Sequence, residues 1–228
     1  MSAEAEPIFG PAPRTTKVTV HRETPTPEDD LLAGEWAISP KSIAASRHLA
    51  HTLIEDSPSL VFVNSRSTAE TVAQRLASIV PEIEVGVHHG SLAAETRREM
   101  EEALRAGQLH GLICTSSLEL GIDIGSIRRV HQLNSPRAVD RMLQRVGRAE
   151  HHIGGIGRGD VLAWEIDDIA ECAVIARRAM AGELEGVEWR YDPAIVAANQ
   201  FLQMAAERSV VPLNQATALL LSLIHISE

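Results

Sequence analysis

The densest chemical feature of this sequence is Gln144-Arg145-Val146-Gly147-Arg148-Ala149-Glu150-His151, where a glycine lies between two arginines at the end of an expected helix. Glycine inside a helix costs about 1 kcal/mol, so an ordinary helix surface has no need of one there. Flanked by guanidiniums, it permits close approach of another backbone or of a ligand, and guanidiniums match phosphate oxygens. A second feature, Thr115-Ser116-Ser117-Leu118-Glu119-Leu120-Gly121-Ile122-Asp123, follows an apolar run directly. Hydroxyls and free backbone N–H groups at a strand end can cradle a nucleic-acid phosphate. His88-His89-Gly90-Ser91 precedes a helix carrying Arg97 and Arg98, so Gly90 and Ser91 offer donors at a helix N-terminus, a ready anion site. Asn64-Ser65-Arg66 caps the run Leu60-Val61-Phe62-Val63. Phosphate recognition is the chemistry common to these segments. Phosphate gripping of the P-loop kind is missing: there is no GxxxxGK[ST], and neither of the two lysines, Lys17 and Lys41, follows a glycine. No acidic strand end of the DExD/H type is present to hold Mg²⁺. By itself the chain is not expected to hydrolyse ATP.

A strand–helix rhythm positions these segments. Residues 1–35 are rich in Pro, Thr and acid and read as a flexible lead-in with one edge strand at Thr16–Val20. A helix follows over Ser39–Glu55. Strands are then expected at Ser59–Asn64, Glu84–His88, His110–Thr115, Arg129–Leu133 and Asp160–Trp164. Helices are expected at Ser67–Val80, Leu92–Ala106, Arg137–Val146 and Ile166–Gly182. Strands separated by single helices imply parallel crossovers, hence an α/β open parallel sheet with helices on both faces. Ligands meet such sheets at the carboxyl ends of the strands, in the loops that begin at Asn64, His89, Thr115 and Asn134. The glycine-rich run Gly154–Gly159 precedes a strand and opens no helix, so it reads as a flexible turn and not as a nucleotide fingerprint. After Asp192-Pro193 a separate helical segment is expected over Ala194–Glu207, with a further helix over Pro212–Ile226 and a tail, Leu219–Glu228, that carries no functional weight. The resulting division is 1–35, 36–188 and 189–228.

Composition agrees with a packed α/β body. Hydrophobic residues make up 44% and aromatics only 3% of 228 residues, so the core must be built from Ala, Leu, Ile and Val. The net charge of −10 is unevenly spread: Arg128–Arg158 carries a local +5, and Asp160–Glu188 a local −6. A basic stripe on an acidic body suits a protein that grips phosphate along one face. Cys114 and Cys172 lie in apolar stretches and read as buried hydrophobes of a reducing compartment. The pairs His88-His89 and His151-His152 have no HExxH or CxxC companion, so no metal site is expected. The longest apolar run, Ala218–Ile226, is far short of a membrane span. The expected setting is the cytoplasm, near the nucleoid, with no membrane partner.

In their order along the chain, these segments resemble motifs IV, IVa, V and VI of superfamily 2 helicases. The wording SSLELGIDIG, the strand LVFVNSR and the SP-plus-helix ahead of QRVGRA are similar to Lhr-type members, over about Leu60–Glu207. The resemblance implies a RecA-like C-terminal motor lobe followed by the start of a winged-helix-like segment. It implies ATP with Mg²⁺, held mainly by a first RecA-like lobe supplied in cis or in trans. The partner would be single-stranded DNA or an RNA–DNA hybrid, tracked 3′→5′. By the same resemblance, Asn64, Ser65, Arg66, Gly90, Ser91, Thr115, Ser116 and Arg137 contact nucleic acid. Gly121, Asp123, Arg148 and His151 face ATP. Gln144, Arg145 and Arg148 are the catalytic candidates, with Arg148 the arginine finger and Arg145 a structural or coupling residue. One departure stands out: the motif's usual glycine is Glu150, whose charge would oppose a phosphate if it turned inward. Two other classes compete. A non-catalytic nucleic-acid-binding or regulatory module is compatible with the missing P-loop. A small-molecule α/β enzyme is disfavoured, because no nucleophile, base or cofactor loop converges at the strand ends.

Overall fold

The computed structural model describes residues 16–119, 125–149, 157–186 and 194–208, with 212 and 214. Six strands form one sheet: β1 (Thr16–His21), β2 (Ser59–Phe62), β3 (Val85–His88), β4 (Gly111–Cys114), β5 (Arg129–Leu133) and β6 (Gly157–Leu162). Their order is β1-β6-β5-β2-β4-β3 and every pairing is parallel. Among the described residues the α-helices that accompany them are α1 (Pro27–Trp36), α2 (Pro40–Glu55), α3 (Arg66–Ile79), α4 (Ala94–Arg105), α5 (Val139–Val146), α6 (Ile166–Ala181) and α7 (Ala194–Arg208). This is the open parallel sheet that the strand–helix rhythm predicts.

Alternation along the strands divides the core into two faces. Val61, Val63 and Ile113 pack under α2 and α3 with Leu49, Leu53, Val72 and Leu76. On the opposite face, Leu60, Phe62, Leu112 and Cys114 meet Leu104 of α4, while Val18 and Val161 meet Val139 and Val146 of α5 and Ile175 of α6. The central strands β2 and β4 are buried along their whole length, as strands covered on both faces must be. Cys114 and Cys172 are free and buried, and burial pushes both thiols well above the usual range.

Two segments depart from the expected reading. Residues 27–36, assigned to a flexible lead-in, form α1. Periodicity misses it because it buries only Asp29 and Ala33. Its start is fixed instead by a reciprocal cap: Asp29 N donates to Thr26 Oγ1 (3.3 Å) and Thr26 N donates to Asp29 Oδ2 (2.7 Å), with Pro27 in the first turn. Arg47 of α2 then grips Asp29 in a bidentate pair at 2.7 and 3.1 Å. The second correction concerns the glycine-rich run. Gly157 and Gly159 belong to β6, while residues 154–156 lie outside the described residues; α5 packs so close that a Cβ at Gly159 would stand 2.5 Å from Val146 Cγ2.

The chain divides between Glu185 and Gly186 into two units, and α7 belongs to the second. The helix expected beyond it falls outside the described residues except for 212 and 214. Among the described residues no helix is long and apolar enough to cross a membrane.

Candidate functional site

Because all six strands run parallel, the ends of β2, β3, β4 and β5 share one edge of the sheet. A recess of about 340 Å³ opens there, lined by Val63, Asn64, Thr115, Ser116, Glu119, Arg137, Arg141 and Arg145. It draws together five candidates that lie up to 81 positions apart, from Asn64 to Arg145. Asn64 is exposed at the tip of β2 and donates through Nδ2 to the Ser135 carbonyl (2.9 Å), tying the β2 and β5 loops together. Thr115 and Ser116 follow β4 and begin a single 3₁₀ turn, Ser116–Leu118. Arg137 is 58% exposed but not idle: it pairs with Asp168 (3.0 Å) and Glu171 (2.6 Å) of α6. Its backbone N donates to Ser135 Oγ (3.0 Å).

The loop between β5 and α5 holds two non-glycine residues at positive φ, Asn134 (58°) and Arg137 (69°). Each costs roughly 1–2 kcal/mol against the right-handed alternative, and such strain gathers where side chains must be aimed.

The second group of candidates meets beside β3. Arg66, first in α3, donates through Nη1 to Ser91 Oγ (2.9 Å), so two residues predicted separately touch. Ser65 is committed to capping α3 and accepts from Thr68 N at 3.1 Å. Gly90 is exposed, with open space where a side chain would be. His88 is buried between Ser117 Oγ (2.8 Å) and Glu101 (3.0 Å), joining β3 to the 3₁₀ turn and to α4. Around it, Ala94, Arg97 and Arg98 complete a second recess of about 550 Å³. His89 is spoken for by Glu70 at 3.0 Å.

The arginine segment divides in two. Arg145 is 2% exposed. Its Nε and Nη2 donate to Glu119 Oε1 at 2.8 and 2.5 Å, its Nη1 donates to Gln132 Oε1, and its guanidinium carbon lies 5.2 Å from the Phe62 ring centre. Arg145 lines the floor of the recess with its charge matched internally. Arg148 is half-buried, and its Nη2 donates to the Glu119 carbonyl (2.7 Å). Glu119 therefore binds Arg145 through its carboxylate and Arg148 through its backbone. Gln144 is exposed on α5 and does not line the recess. Gly147 closes α5 at φ −60°, where a Cβ would stand 2.9 Å from the Leu143 carbonyl oxygen of its own helix. Gly121, Asp123, Glu150 and His151 lie outside the described residues.

Sequence reasoning missed Glu119, Gln132 and Arg141. Glu119 and Arg145 are 26 positions apart and Gln132 is a core strand residue, so no spacing connects them. The structure also qualifies the basic stripe. Arg129 is neutralised by Asp56 (2.8 Å) and Asp160 (2.7 Å), and Arg137 by α6. The acidic segment thus folds back onto two arginines of the basic one, Arg129 and Arg137. Arg141, exposed at the recess, has no side-chain ion pair among the described residues.

Sheet order, strand-end loops and a paired arginine segment define a RecA-like lobe. Residues 43–152 match the helicase conserved C-terminal domain, and the chain carries the C-terminal lobe of a superfamily 2 helicase. Within that superfamily its similarity is to Lhr helicases. It is 37% identical over 187 residues to the ATP-dependent helicase Lhr-Core of Methanothermobacter thermautotrophicus, covering 79% of this chain and 21% of that protein. To the Lhr-Core protein 2 of Thermococcus barophilus it is 38% identical over 177 residues, covering 77% and 20%. The solved Lhr helicase of Mycobacterium smegmatis, bound to ssDNA and AMP-PNP, superposes with a TM-score of 0.72 at 32% identity, over 86% of this chain and 26% of that one. The C-terminal domain of the DEAD-box protein Dbp5 shares the fold alone, at 20% identity, a TM-score of 0.51 and coverage of 75% and 88%. The chain spans about a fifth of the length of the curated relatives it matches.

Proposed function

We propose that this chain is the second motor lobe of an ATP-dependent DNA helicase that moves 3′→5′ on a single strand, or on a strand of an RNA–DNA hybrid. The observation that carries the reading is the recess at the strand ends, where Asn64, Thr115, Ser116 and Arg137 stand beside the Glu119-anchored arginines. Asn64, Thr115, Ser116, Arg137 and Arg141 contact the sugar–phosphate backbone there, and Arg66, Gly90 and Ser91 extend the track toward Arg97 and Arg98. Such contacts read backbone and not bases, which suits a motor that must step through any sequence. A similar protein bound to ssDNA and to AMP-PNP supports both the strand and the nucleotide.

Arg148 acts as the arginine finger toward a triphosphate and its Mg²⁺ held by a first RecA-like lobe, in cis or in trans, because this sequence has no P-loop lysine of its own. Gly121, Asp123 and His151 complete the nucleotide face. Arg145 is a positioning residue: bound to Glu119 and Gln132, it fixes the loop after β4 against α5, so that Arg148 and Thr115 move as one body. Closure of the two lobes on ATP and reopening after hydrolysis then advance the strand.

The test joins this chain to a matching first lobe and measures nucleic-acid-stimulated ATP turnover. Arg148→Ala should lower turnover roughly 10³- to 10⁵-fold while sparing ATP binding. An unimpaired Arg148→Ala motor refutes the finger assignment. Absence of stimulated turnover in the parent fusion favours a non-catalytic nucleic-acid-binding module.

A further inference from the structure

Three side chains that the motor residues do not use converge where β1 ends. His21 closes β1, Glu23 stands two residues on, and His48 lies midway along α2. One ligand-type atom from each, two imidazole nitrogens and a carboxylate oxygen, lies within 4.8 Å of the other two. His48 Nδ1 is 3.0 Å from Glu23 Oε1, and the two imidazole centres are 4.7 Å apart. Nitrogen and oxygen ligands at ~2.0–2.2 Å from a tetrahedral zinc ion are roughly 3.3 Å from one another, so small side-chain adjustments bring this trio onto one ion.

The surroundings are those of a metal ligand set. His21 Nε2 bonds to Asp160 Oδ1 at 3.0 Å, leaving Nδ1 as its ligand atom. A carboxylate behind a ligating imidazole fixes its tautomer and raises its basicity. Asp160 is itself held by Arg129 (2.7 Å), and Arg129 by Asp56 (2.8 Å). His48 turns Nδ1 toward Glu23 as the ligand-side nitrogen, while its Nε2 is buried without a hydrogen-bond partner. Around the trio, Asp160 and Asp56 hold Arg129, and Arg47, itself bound to Asp29, lies within electrostatic reach of Glu23.

We infer that His21, Glu23 and His48 bind one divalent transition-metal ion of the zinc class, with a fourth position open to water. Two nitrogens and one oxygen suit a borderline cation and not Ca²⁺ or Mg²⁺, which take oxygen shells. The ion would clasp the end of the edge strand β1 to α2, a structural role away from the strand-end recess and independent of the helicase reading. No motif signals the site. His21 and Glu23 share a side only because the chain is extended there, and His48 comes from the next layer.

The test uses the 228-residue chain, freed of metal by a chelator and titrated with Zn²⁺ against a competing chromogenic chelator. One saturable site per chain is expected, together with a Zn²⁺-dependent rise in melting temperature. His48→Ala and Glu23→Gln should each weaken binding by at least about ten-fold and suppress the melting shift. His51→Ala, at an exposed histidine one turn of α2 away, should leave both unchanged. Cobalt(II) in the site should lack a thiolate charge-transfer band, which excludes Cys114 and Cys172 as ligands. Glu23→Gln, at a surface-accessible position, keeps the test valid if His48→Ala fails to fold. Absence of saturable uptake, or uptake that Glu23→Gln leaves intact, overturns the inference.

Discussion

Replacing Arg145 with alanine tests whether its buried pairing with Glu119 and Gln132 anchors the lobe. Arg145 is 2% exposed and its partner Glu119 only 11%, so solvent screens the pair little. Without the guanidinium, the Glu119 carboxylate and the buried Gln132 oxygen both lose their donor. Removing one member of a buried, hydrogen-bonded ion pair costs about 3–5 kcal/mol. That is a large part of the ~5–15 kcal/mol that holds a domain together. Arg145→Lys keeps the charge but loses the fork that reaches Glu119 and Gln132 at once, so a loss of about 1–3 kcal/mol is expected. Arg148→Ala removes a half-buried bond to a neutral carbonyl, worth about 1–2 kcal/mol. Urea unfolding of the chain, followed by far-ultraviolet circular dichroism, gives all three values. A double-mutant cycle with Glu119→Gln should return a coupling of roughly 1–3 kcal/mol. An Arg145→Ala chain within about 1 kcal/mol of the parent, or no less stable than Arg148→Ala, refutes the reasoning that Arg145 is a structural anchor.

Other perturbations probe other parts of the lobe. Burial pushes the His131 imidazole down from 6.5 to about 4, with Arg129 adding to the effect and Asp160 opposing it. The unfolded chain therefore binds the extra proton between those values. The His131 contribution to stability should be full above pH 6.5 and fall by about 3 kcal/mol as pH drops toward 4, and His131→Leu should remove that component of the slope in urea titrations. Gly159→Ala would force a Cβ against Val146, and denaturation should register a loss of about 1–3 kcal/mol. Arg66→Ala should weaken binding of a single-stranded oligonucleotide and lower the slope of log affinity against log salt by about 1, as loss of one phosphate contact requires; an unchanged slope removes Arg66 from the track.

What the sequence determined by itself was local. Apolar runs of strand length, spaced by amphipathic helices, are enough to specify a parallel sheet, because each run must be covered on both faces and each crossover needs a helix. Strand β5 falls where the pattern predicts it, at Arg129–Leu133. The polar residues that break those runs, Asn64, Thr115 and Ser116, mark strand ends for the same reason, and strand ends in a parallel sheet share one edge. Helix α1 escaped notice because a capping box and a buried Asp29–Arg47 pair define it, and neither leaves a periodic trace.

Partnership was decided only in three dimensions. Two arginines three positions apart look alike in a string, yet Arg145 enters the interior to meet Glu119 and Gln132 while Arg148 stays half-exposed on the Glu119 carbonyl. The basic stripe looked available for phosphate until the acidic helix α6 folded against Arg137. Three residues with no common motif, His21, Glu23 and His48, came together through strand register and helix placement. Covering a strand is a demand on hydrophobicity and can be read along the chain. The charge that meets a given guanidinium depends on distances between segments, and those exist only once the sheet has closed its layers.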